Sequence, residues 1–368
     1  MDIFLGFVII ITYLPIFIIG LFIDSLSSNK FRFGVTINKE ITLDPEYNKI
    51  NRSFKKKYCL MISLVWIIAY IIFINWGFKY GFIISILGWM LILFYLSANS
   101  NKKMLKLKNK YISKEIKKRK RVVEIGGEIE KKDKRNFSFF ILLFPLLNGI
   151  ISYYMYNYIP NKIAVHFDFF GMPDRYVEKT MFNVFQLIII QTFMCILFLV
   201  IRLAVLKVPK RLDPKQPKTS KIRQNIARKK IANILDILNV GIMILWCYIQ
   251  LKVLNIIKPL GIFDGIITLL ILLGPIALVI VYYIKVGDLG DKIELDINEK
   301  IREAEEIDED FLWKWGIIYI NKEDPSLIVT KRFGGGYTFN FGNPLGKILT
   351  IFLAIVTIGL FIMILFII

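Results

Sequence analysis

The chain has 368 residues, of which 55% are hydrophobic and 14% aromatic, and its mean hydropathy is +0.55. Its formal net charge is +20, from 49 Lys and Arg against 29 Asp and Glu. Soluble globular domains average about 45–50% apolar residues, so this composition excludes a soluble nucleic-acid-binding protein, a disulfide-rich secreted scaffold and a disordered tail.

The hydrophobic residues are concentrated in eight blocks, each long enough for a transmembrane helix of about 20 residues. In chain order they are Ile3–Ile23, Tyr58–Phe78, Tyr80–Ala98, Phe137–Tyr158, Met181–Leu206, Ile231–Val253, Phe263–Ile284 and Lys347–Ile368. The first block follows Asp2 rather than a basic segment and has no small-residue cleavage site after it, so we expect a retained helix. The pattern predicts an all-α polytopic membrane protein with about eight transmembrane helices.

Basic residues are distributed unequally between the loops that connect these blocks. Loops 24–57, 99–136, 207–230 and 285–347 contain 42 Lys and Arg, whereas the alternate loops contain 5. Positive residues accumulate in cytosolic loops. Eight spans place all four basic loops on one side, so we expect a multi-pass protein of the cell membrane with both termini extracytoplasmic.

The chain divides into five regions on this basis. Residues 1–136 form an N-terminal region of three spans with basic cytosolic loops, and residues 137–206 form a two-span domain with an extracytoplasmic loop at 159–180. Residues 207–285 comprise a basic linker and two spans. Residues 286–346 form a cytosolic acidic segment with a small β element, and residues 347–368 form the last helix.

Two basic loops bear on the partners of the protein. Residues 102–121 intersperse Lys and Arg with apolar residues, so this loop either lies as a helix on anionic headgroups or only fixes the topology. Residues 207–230 contain three prolines, which predict an extended tether leading into a short basic helix. We expect a lipid bilayer with anionic headgroups as a partner and no nucleic acid, because no recognition fold accompanies the charge.

The cytosolic segment before the last span has two parts. Residues 288–310 contain 11 acidic and 3 basic residues, and they form either a solvated helix or an electrostatic latch against the basic loops. Gly316–Ile320, Leu327–Lys331 and Tyr337–Phe341 are short β-like runs separated by turn-forming residues. They predict a small cytosolic antiparallel β element before the last helix.

One short string occurs twice in the predicted cytosolic regions. Arg32-Phe33-Gly34 in the first loop is repeated as Arg332-Phe333-Gly334 in the last. Both copies have strand-like surroundings and lie near helix ends. We hypothesise that the two segments pair in one sheet and hold the first and last spans together. The alternative is that two such short strings match by coincidence.

The extracytoplasmic loop 159–180 contains the only histidine of the chain and a group of charged residues. His166, Asp168, Asp174 and Arg175 either stabilise a compact loop whose turn contains Gly171 and Pro173, or contact a ligand or peptide, or bind a metal. One imidazole with two carboxylates is a poor zinc site, and we expect no metal and no cofactor. The candidate contact residues are therefore His166, Asp168, Gly171, Pro173, Asp174 and Arg175.

Two stretches of the chain resemble families of unknown function. The motif Pro160-x-x-Ile163-x-x-His166-Phe167-Asp168-x-x-Gly171-x-Pro173-Asp174-Arg175 looks like the signature of a bacterial membrane domain that is also found at the front of SdpI-like immunity proteins. That resemblance covers residues 135–206 and implies protection against a secreted toxic peptide. Residues 308–344 resemble a companion C-terminal domain, whose candidate motif residues here are Trp313, Asp324, Pro325, Lys331, Arg332 and Gly334.

Polar residues inside the apolar blocks supply a second type of candidate. Intramembrane ionisable residues are costly and usually functional. Asp236 lies about one and a half turns into the sixth block, and Asn239 follows on the same helix face. Asp236 either forms an ion pair at the helix end, with Arg228 or Lys229, or forms part of an ion or proton site.

No enzyme signature is present in the sequence. A single histidine excludes H-E-x-x-H, and no G-x-S-x-G or Walker motif occurs. We therefore expect a non-enzymatic integral membrane protein that senses or confers resistance to an envelope-acting peptide, with an antimicrobial peptide or another membrane protein as its partner. The alternative is a transporter or a transporter-accessory protein.

Overall fold

The computed structural model describes residues 13–28, 30–111, 123–124, 137–168, 170–208, 210–213, 215–288, 290–297, 299 and 308–367. The helices within these ranges are α1 (Tyr13–Leu26), α2 (Lys39–Leu43), α3 (Pro45–Trp76), α4 (Phe78–Asn109), α5 (Leu143–Met155), α6 (Met181–Lys207), α7 (Pro217–Val253), α8 (Ile262–Lys285) and α9 (Pro344–Ile367). The strands are β1 (Phe31–Arg32), β2 (Val35–Thr36), β3 (Val123–Glu124), β4 (Lys162–Phe167), β5 (Pro173–Glu178), β6 (Lys210–Arg211), β7 (Trp313–Lys314), β8 (Ile318–Tyr319), β9 (Ile328–Thr330) and β10 (Tyr337–Phe339).

Among the described residues, six helical segments are long and apolar enough to cross a membrane: α3, α4, the segment Ser138–Met155 that includes α5, α6, α7 and α8. The structure is therefore mostly helical, and the six helices indicate a multi-pass membrane protein. The predicted count of eight is not confirmed. Residues 3–12 of the first predicted span lie outside the described residues. In α9 the apolar stretch Pro344–Ile355 is shorter than the six.

Helices α3 and α4 continue well beyond the apolar blocks that predict them. The side chain of Asp44 accepts a hydrogen bond from the backbone N–H of Glu46 at 2.7 Å, and Pro45 occupies the first turn. Both features favour a helix start, so α3 begins 13 residues before Tyr58. The charged ends of α3 and α4 form an antiparallel stalk, which we define as residues 45–57 and 99–109.

The chain divides into two compact units. Unit 1 comprises residues Met1–Ile125, Pro209–Arg223 and Val286–Ile368, and unit 2 comprises Gly126–Val208 and Gln224–Lys285. In unit 1, α3 and α4 pack closely because Gly88 has no side chain: a Cβ there would lie 2.6 Å from Val65 Cγ1. The core of the unit also includes the fully buried side chains of Phe33, Tyr58 and Met104.

The predicted cytosolic β element of unit 1 consists of two short antiparallel pairs. Strand β7 pairs with β8, and β9 pairs with β10. A single parallel bridge between Tyr319 and Asn340 connects the two pairs. Strands β1 and β2 form a separate hairpin with Phe33 and Gly34 at its turn, and β3 pairs with β6.

Unit 2 contains α5, α6, α8, most of α7 and the β4–β5 hairpin. The tether predicted for residues 207–230 is shorter than expected, because α7 is one continuous helix from Pro217 to Val253. Proline is tolerated at a helix start, where its missing N–H would have no intrahelical partner. The short basic helix and the sixth predicted span are therefore one element.

Candidate functional site

The extracytoplasmic loop predicted at 159–180 forms the β4–β5 hairpin. The strands pair from Lys162–Glu178 to Phe167–Pro173, with register shifts on either side of His166. Alternation along β4 places the apolar residues Ile163, Val165 and Phe167 on one face, where they pack in a cluster with Val184, Val253 and Leu254 from α6 and from the end of α7. The hairpin is thereby fixed to the helix ends of unit 2 by burial of one face.

The opposite face of the hairpin carries the predicted charged residues. His166 Nδ1 lies 2.6 Å from Asp174 Oδ1, and both side chains are half-exposed. Arg175 is the register partner of His166, and Pro173 begins β5 opposite Phe167. The Asp168 side chain stabilises the turn by accepting a hydrogen bond from the backbone N–H of Met172 at 2.8 Å. The structure thus brings the predicted histidine and one of the predicted acids within hydrogen-bond distance.

A buried ion pair, which the sequence analysis did not identify, lies beneath the tip of the hairpin. Lys252 Nζ, near the end of α7, is 3.0 Å from Asp264 Oδ1, near the start of α8. Asp264 also accepts hydrogen bonds from the Tyr248 hydroxyl and from the backbone N–H of Leu260. The Lys252 ammonium lies 4.5 Å from the centre of the Phe167 ring. Both charges are therefore compensated, which a buried pair requires.

Gly171, at the tip of the hairpin, rests directly on this pair. A Cβ built on Gly171 would lie 1.9 Å from Asp264 Oδ2 and 2.6 Å from Lys252 Nζ, and the glycine has φ of +73°. Both facts require glycine at this position. The sequence could have indicated this pair in one way. Lys252 and Asp264 are oppositely charged residues inside two apolar blocks that one short loop connects.

The second predicted candidate, Asp236, lies toward the other end of α7. Asp236 Oδ2 is 2.8 Å from Arg202 Nε on α6 and accepts a hydrogen bond from the Ser138 hydroxyl at 2.9 Å. The ion-pair partner is thus Arg202, whereas Arg228 donates to the Val208 carbonyl. A residue from a neighbouring helix supplies the counter-charge, which spacing along one helix does not reveal.

Polar groups continue along the same face of α7 between these two ion pairs. Gln191 on α6 accepts from Asn148 Nδ2 at 2.9 Å and donates to the Met243 carbonyl at 3.3 Å. Gln250 Nε2 donates to the Ser152 hydroxyl at 2.9 Å. We call the α7 positions 236, 239, 243, 247 and 250, with their partners on α6, on α5 and in the turn before α5, the polar seam. It is about 21 Å long at 1.5 Å per residue.

Two oxygens of the polar seam have no hydrogen-bond partner. Asn239 donates through Nδ2 to the Cys195 carbonyl at 3.4 Å, but its Oδ1 is buried and unpaired. Gln250 Oε1 is likewise buried and unpaired. An unsatisfied buried amide oxygen costs roughly 1–3 kcal/mol, so Asn239 and Gln250 are the polar groups of the seam with remaining capacity to accept a hydrogen bond.

The predicted cytosolic motif contains a dense ionic network around Asp310 in unit 1. Arg332 Nη1 lies 2.6 Å from Asp310 Oδ1, and Lys108 Nζ from the stalk lies 2.6 Å from Asp310 Oδ2. Thr36 donates to the same carboxylate through its backbone N–H and its hydroxyl. Lys108 also contacts Asp308 at 2.9 Å. The end of the acidic segment is therefore joined by ion pairs to the basic end of α4.

The other motif residues stabilise the β element. Trp313 packs on Tyr319 with ring centres 5.0 Å apart. Asp324 accepts from the Tyr319 hydroxyl and from the backbone N–H of Ser326, both at 2.9 Å. The Pro325 carbonyl accepts from Asn343 Nδ2 at 3.4 Å. These contacts assign a structural role to this part of the motif.

Lys331 and the glycine turn that follows it lie next to a buried carboxyl group, that of Asp288. The backbone N–H of Gly334 donates to the Ser27 hydroxyl, and that of Gly336 donates to Asp288 Oδ1 at 3.1 Å. Burial raises the pKa of Asp288 to about 7, and burial also lowers the pKa of Lys331. Protein oxygens therefore accept hydrogen bonds from two backbone amides of this glycine turn, those of Gly334 and Gly336.

The repeated Arg-Phe-Gly strings meet in unit 1 but do not form one sheet. The rings of Phe33 and Phe333 stack with centres 6.1 Å apart, whereas the strands near them belong to separate pairs. Arg332 Nη1 also lies 3.3 Å from the Thr36 hydroxyl. The segments are thus held together by side chains rather than by strand pairing.

Comparison with known proteins gives two matches, both to families of unknown function. Residues 139–192 match a domain of unknown function, DUF1648, and residues 322–347 match a family of unknown function, DUF5808. The first match includes the whole hairpin, and the second includes the β9–β10 pair. No curated protein and no solved structure matches. The resemblance to two uncharacterised domains is therefore confirmed, without an assigned activity.

Proposed function

We propose that the protein is a non-enzymatic protein of the cell membrane that senses, or confers resistance to, an envelope-acting peptide bound by the β4–β5 hairpin. The observation that supports this proposal best is the open edge of the hairpin. Within the described residues the hairpin pairs with no third strand, and it exposes Met172 and Tyr176, each by more than half. An extended peptide can add to such an edge through main-chain hydrogen bonds, while exposed side chains select among peptides.

The position of Gly171 supports a sensing role for the same hairpin. The tip of the hairpin covers the Lys252–Asp264 pair, and this pair joins α7 to α8. Separating the partners of a buried pair is strongly unfavourable. A peptide that displaces the tip by a small distance would therefore change the free energy of the α7–α8 contact.

The exposure of the hairpin fits this assignment. The His166 and Asp174 side chains are each half-exposed, so they are open to a ligand that approaches from outside the protein. The unequal distribution of basic residues supports an extracytoplasmic position for the hairpin, which is the side from which an envelope-acting peptide arrives.

The decisive experiment measures peptide binding and peptide survival with the same variants. His166→Gln and Asp174→Asn remove the outward charged pair, and Lys258→Gln removes an exposed charge from the other loop on the hairpin side of unit 2. We expect the first two variants to weaken binding of membrane-active peptides to the reconstituted chain and to sensitise cells, with Lys258→Gln unchanged. Unaltered peptide sensitivity after deletion of the gene would refute the proposal.

The polar seam favours a second candidate function, that of a transporter or a transporter-accessory protein. Its unpaired oxygens at Asn239 and Gln250 are buried in the membrane-spanning part of unit 2, where polar groups mark solute pathways in many carriers. Asn239→Leu and Gln250→Leu test this function separately from the hairpin variants. Loss of solute uptake in these two variants, with peptide survival retained, would establish transport instead of peptide recognition.

A further inference from the structure

The turn between β7 and β8 places a tryptophan where the helix surface of unit 1 changes from apolar to basic. We call residues 314–317 the Trp315 turn. The Trp315 ring meets the ring of Phe94 on α4 edge-on, with centres 5.5 Å apart. The exposed Lys314 side chain extends back over the indole, with Nζ 4.7 Å from the centre of the Trp315 ring.

Exposed side chains on α3 and α4 locate the membrane boundary at this level of unit 1. On α3 the exposed residues change from Lys55, Lys56 and Lys57 to Leu60. On α4 the change occurs between the exposed Tyr95 and the exposed Lys102. On helices of membrane length, continuous exposed apolar surface suits hydrocarbon, and charged surface suits water or headgroups. We therefore expect the hydrocarbon layer to end at the level of this change, and Phe94 lies at that level.

The entry of the last helix gives an independent marker of the same boundary. Strand β10 ends at Phe339, and α9 exposes large apolar side chains at Leu345 and from Ile348 to Ile355, with the exposed Lys347 between them. The β element thus lies beside α4 and directly before α9, at the level of the bilayer surface. Tryptophan is enriched at this depth, because its ring is apolar and its N–H is polar.

The backbone of the Trp315 turn is adapted to hold the ring in place. Trp315 has a left-handed φ of +56°, which is an outlier for a bulky residue. The following Gly316 packs against the turn of β1–β2: a Cβ on Gly34 would lie 2.4 Å from Gly316 Cα. Asn101 of α4 donates to the Phe33 carbonyl at 2.7 Å. The turn is thereby fixed to α4 at two levels, at Phe94 and at Asn101.

From these observations we propose that the Trp315 turn is a lipid-binding anchor that seats the β element on anionic phospholipid headgroups. The indole occupies the interfacial layer beside Phe94, and Lys314 pairs with the headgroup phosphate. The exposed lysines at 55–57 and 102–103 attract the same anionic lipids to this face of unit 1. The partner is a lipid surface, and this binding does not depend on the hairpin.

The test is depth-dependent fluorescence quenching of the full chain in nanodiscs. The difference between the wild type and Trp315→Phe isolates the Trp315 emission. We expect lipids brominated near the glycerol backbone to quench this emission strongly, and lipids brominated near the chain ends to quench it weakly. The matched control is Trp313, which is buried against Tyr319; its emission, isolated with Trp313→Phe, should respond to neither lipid.

A charge variant separates anionic headgroups from a merely apolar contact. Lys314→Glu retains the indole and should reduce Trp315 quenching in discs that contain phosphatidylglycerol, with little change in pure phosphatidylcholine. Quenching of Trp315 by aqueous iodide but not by brominated lipid would overturn the anchor. Equal quenching of the wild type in both lipid compositions would overturn the preference for anionic headgroups.

Discussion

Replacing Gly171 by alanine tests the most specific contact of the hairpin with the helices. The new Cβ would lie 1.9 Å from Asp264 Oδ2 and 2.6 Å from Lys252 Nζ, so one partner of the buried pair has to move. Breaking a buried pair costs roughly 3–5 kcal/mol. The left-handed φ of +73° adds roughly 1–2 kcal/mol for any residue with a Cβ.

Gly261→Ala is a matched control for the backbone effect alone. Gly261 has φ of +66°, and a Cβ there would meet no atom within 4 Å. We expect Gly261→Ala to lower the free energy of unfolding by about 1–2 kcal/mol and Gly171→Ala to lower it by a further 3–5 kcal/mol. Equilibrium unfolding of the full chain in mixed micelles titrated with SDS, followed by circular dichroism, measures both values.

A variant that lacks the ion pair tests whether the clash is the cause. In the double variant Lys252→Met, Asp264→Ala, the atoms that a Cβ at position 171 would strike are absent or uncharged, so Gly171→Ala should cost only its backbone strain. If Gly171→Ala and Gly261→Ala destabilise the wild type equally, the reasoning about the ion pair is wrong. The same result would remove the mechanical support for a sensing hairpin.

Three further predictions concern groups away from the hairpin. Burial raises the pKa of Asp288 from 3.8 to about 7, so the folded state binds the additional proton. Stability should therefore fall by at most roughly 4 kcal/mol as the pH rises from 4 to 7. Asp288→Asn should reduce this dependence in unfolding curves at pH 5 and pH 8. Asn340 is fully buried and makes four hydrogen bonds through its amide, so Asn340→Ala should destabilise unit 1 by about 2–3 kcal/mol, and faster proteolysis of the C-terminal segment would reveal it. Gln191→Leu leaves Asn148 without its acceptor and should cost about 1–2 kcal/mol in the same SDS titration; a neutral result would show that the seam has relaxed around the change.

Local sequence patterns were sufficient to predict most of the helices. Length and hydropathy predicted α6 and α8 to within about two residues, since each is a long apolar run that ends at a lysine, Lys207 or Lys285. The same reasoning placed the start of α3 too late, because the Asp44–Pro45 cap extends the helix into charged sequence that hydropathy ignores. Short strands depend on their partners. The predicted run Gly316–Ile320 contains β8, whereas β7 lies outside every predicted run.

The candidate site shows where sequence reasoning stops. His166, Asp174 and Gly171 were recognisable, because they are close in the chain and one turn brings them together. Lys252 and Asp264 were not identified, although their pair lies directly beneath Gly171. Arg202 was likewise not predicted as the partner of Asp236. Each of these contacts joins different elements, and a single sequence does not encode which helix faces are adjacent.

The amino-acid sequence by itself determined the class of this protein and the distribution of its charge. Apolar blocks of membrane length have few soluble alternatives, because backbone polar groups in hydrocarbon must be satisfied within a helix. Only the tertiary structure decided which polar groups are paired, from the Lys252–Asp264 pair to the Asp310 network. Those pairings depend on packing at distances of a few ångströms between segments that are remote in the chain.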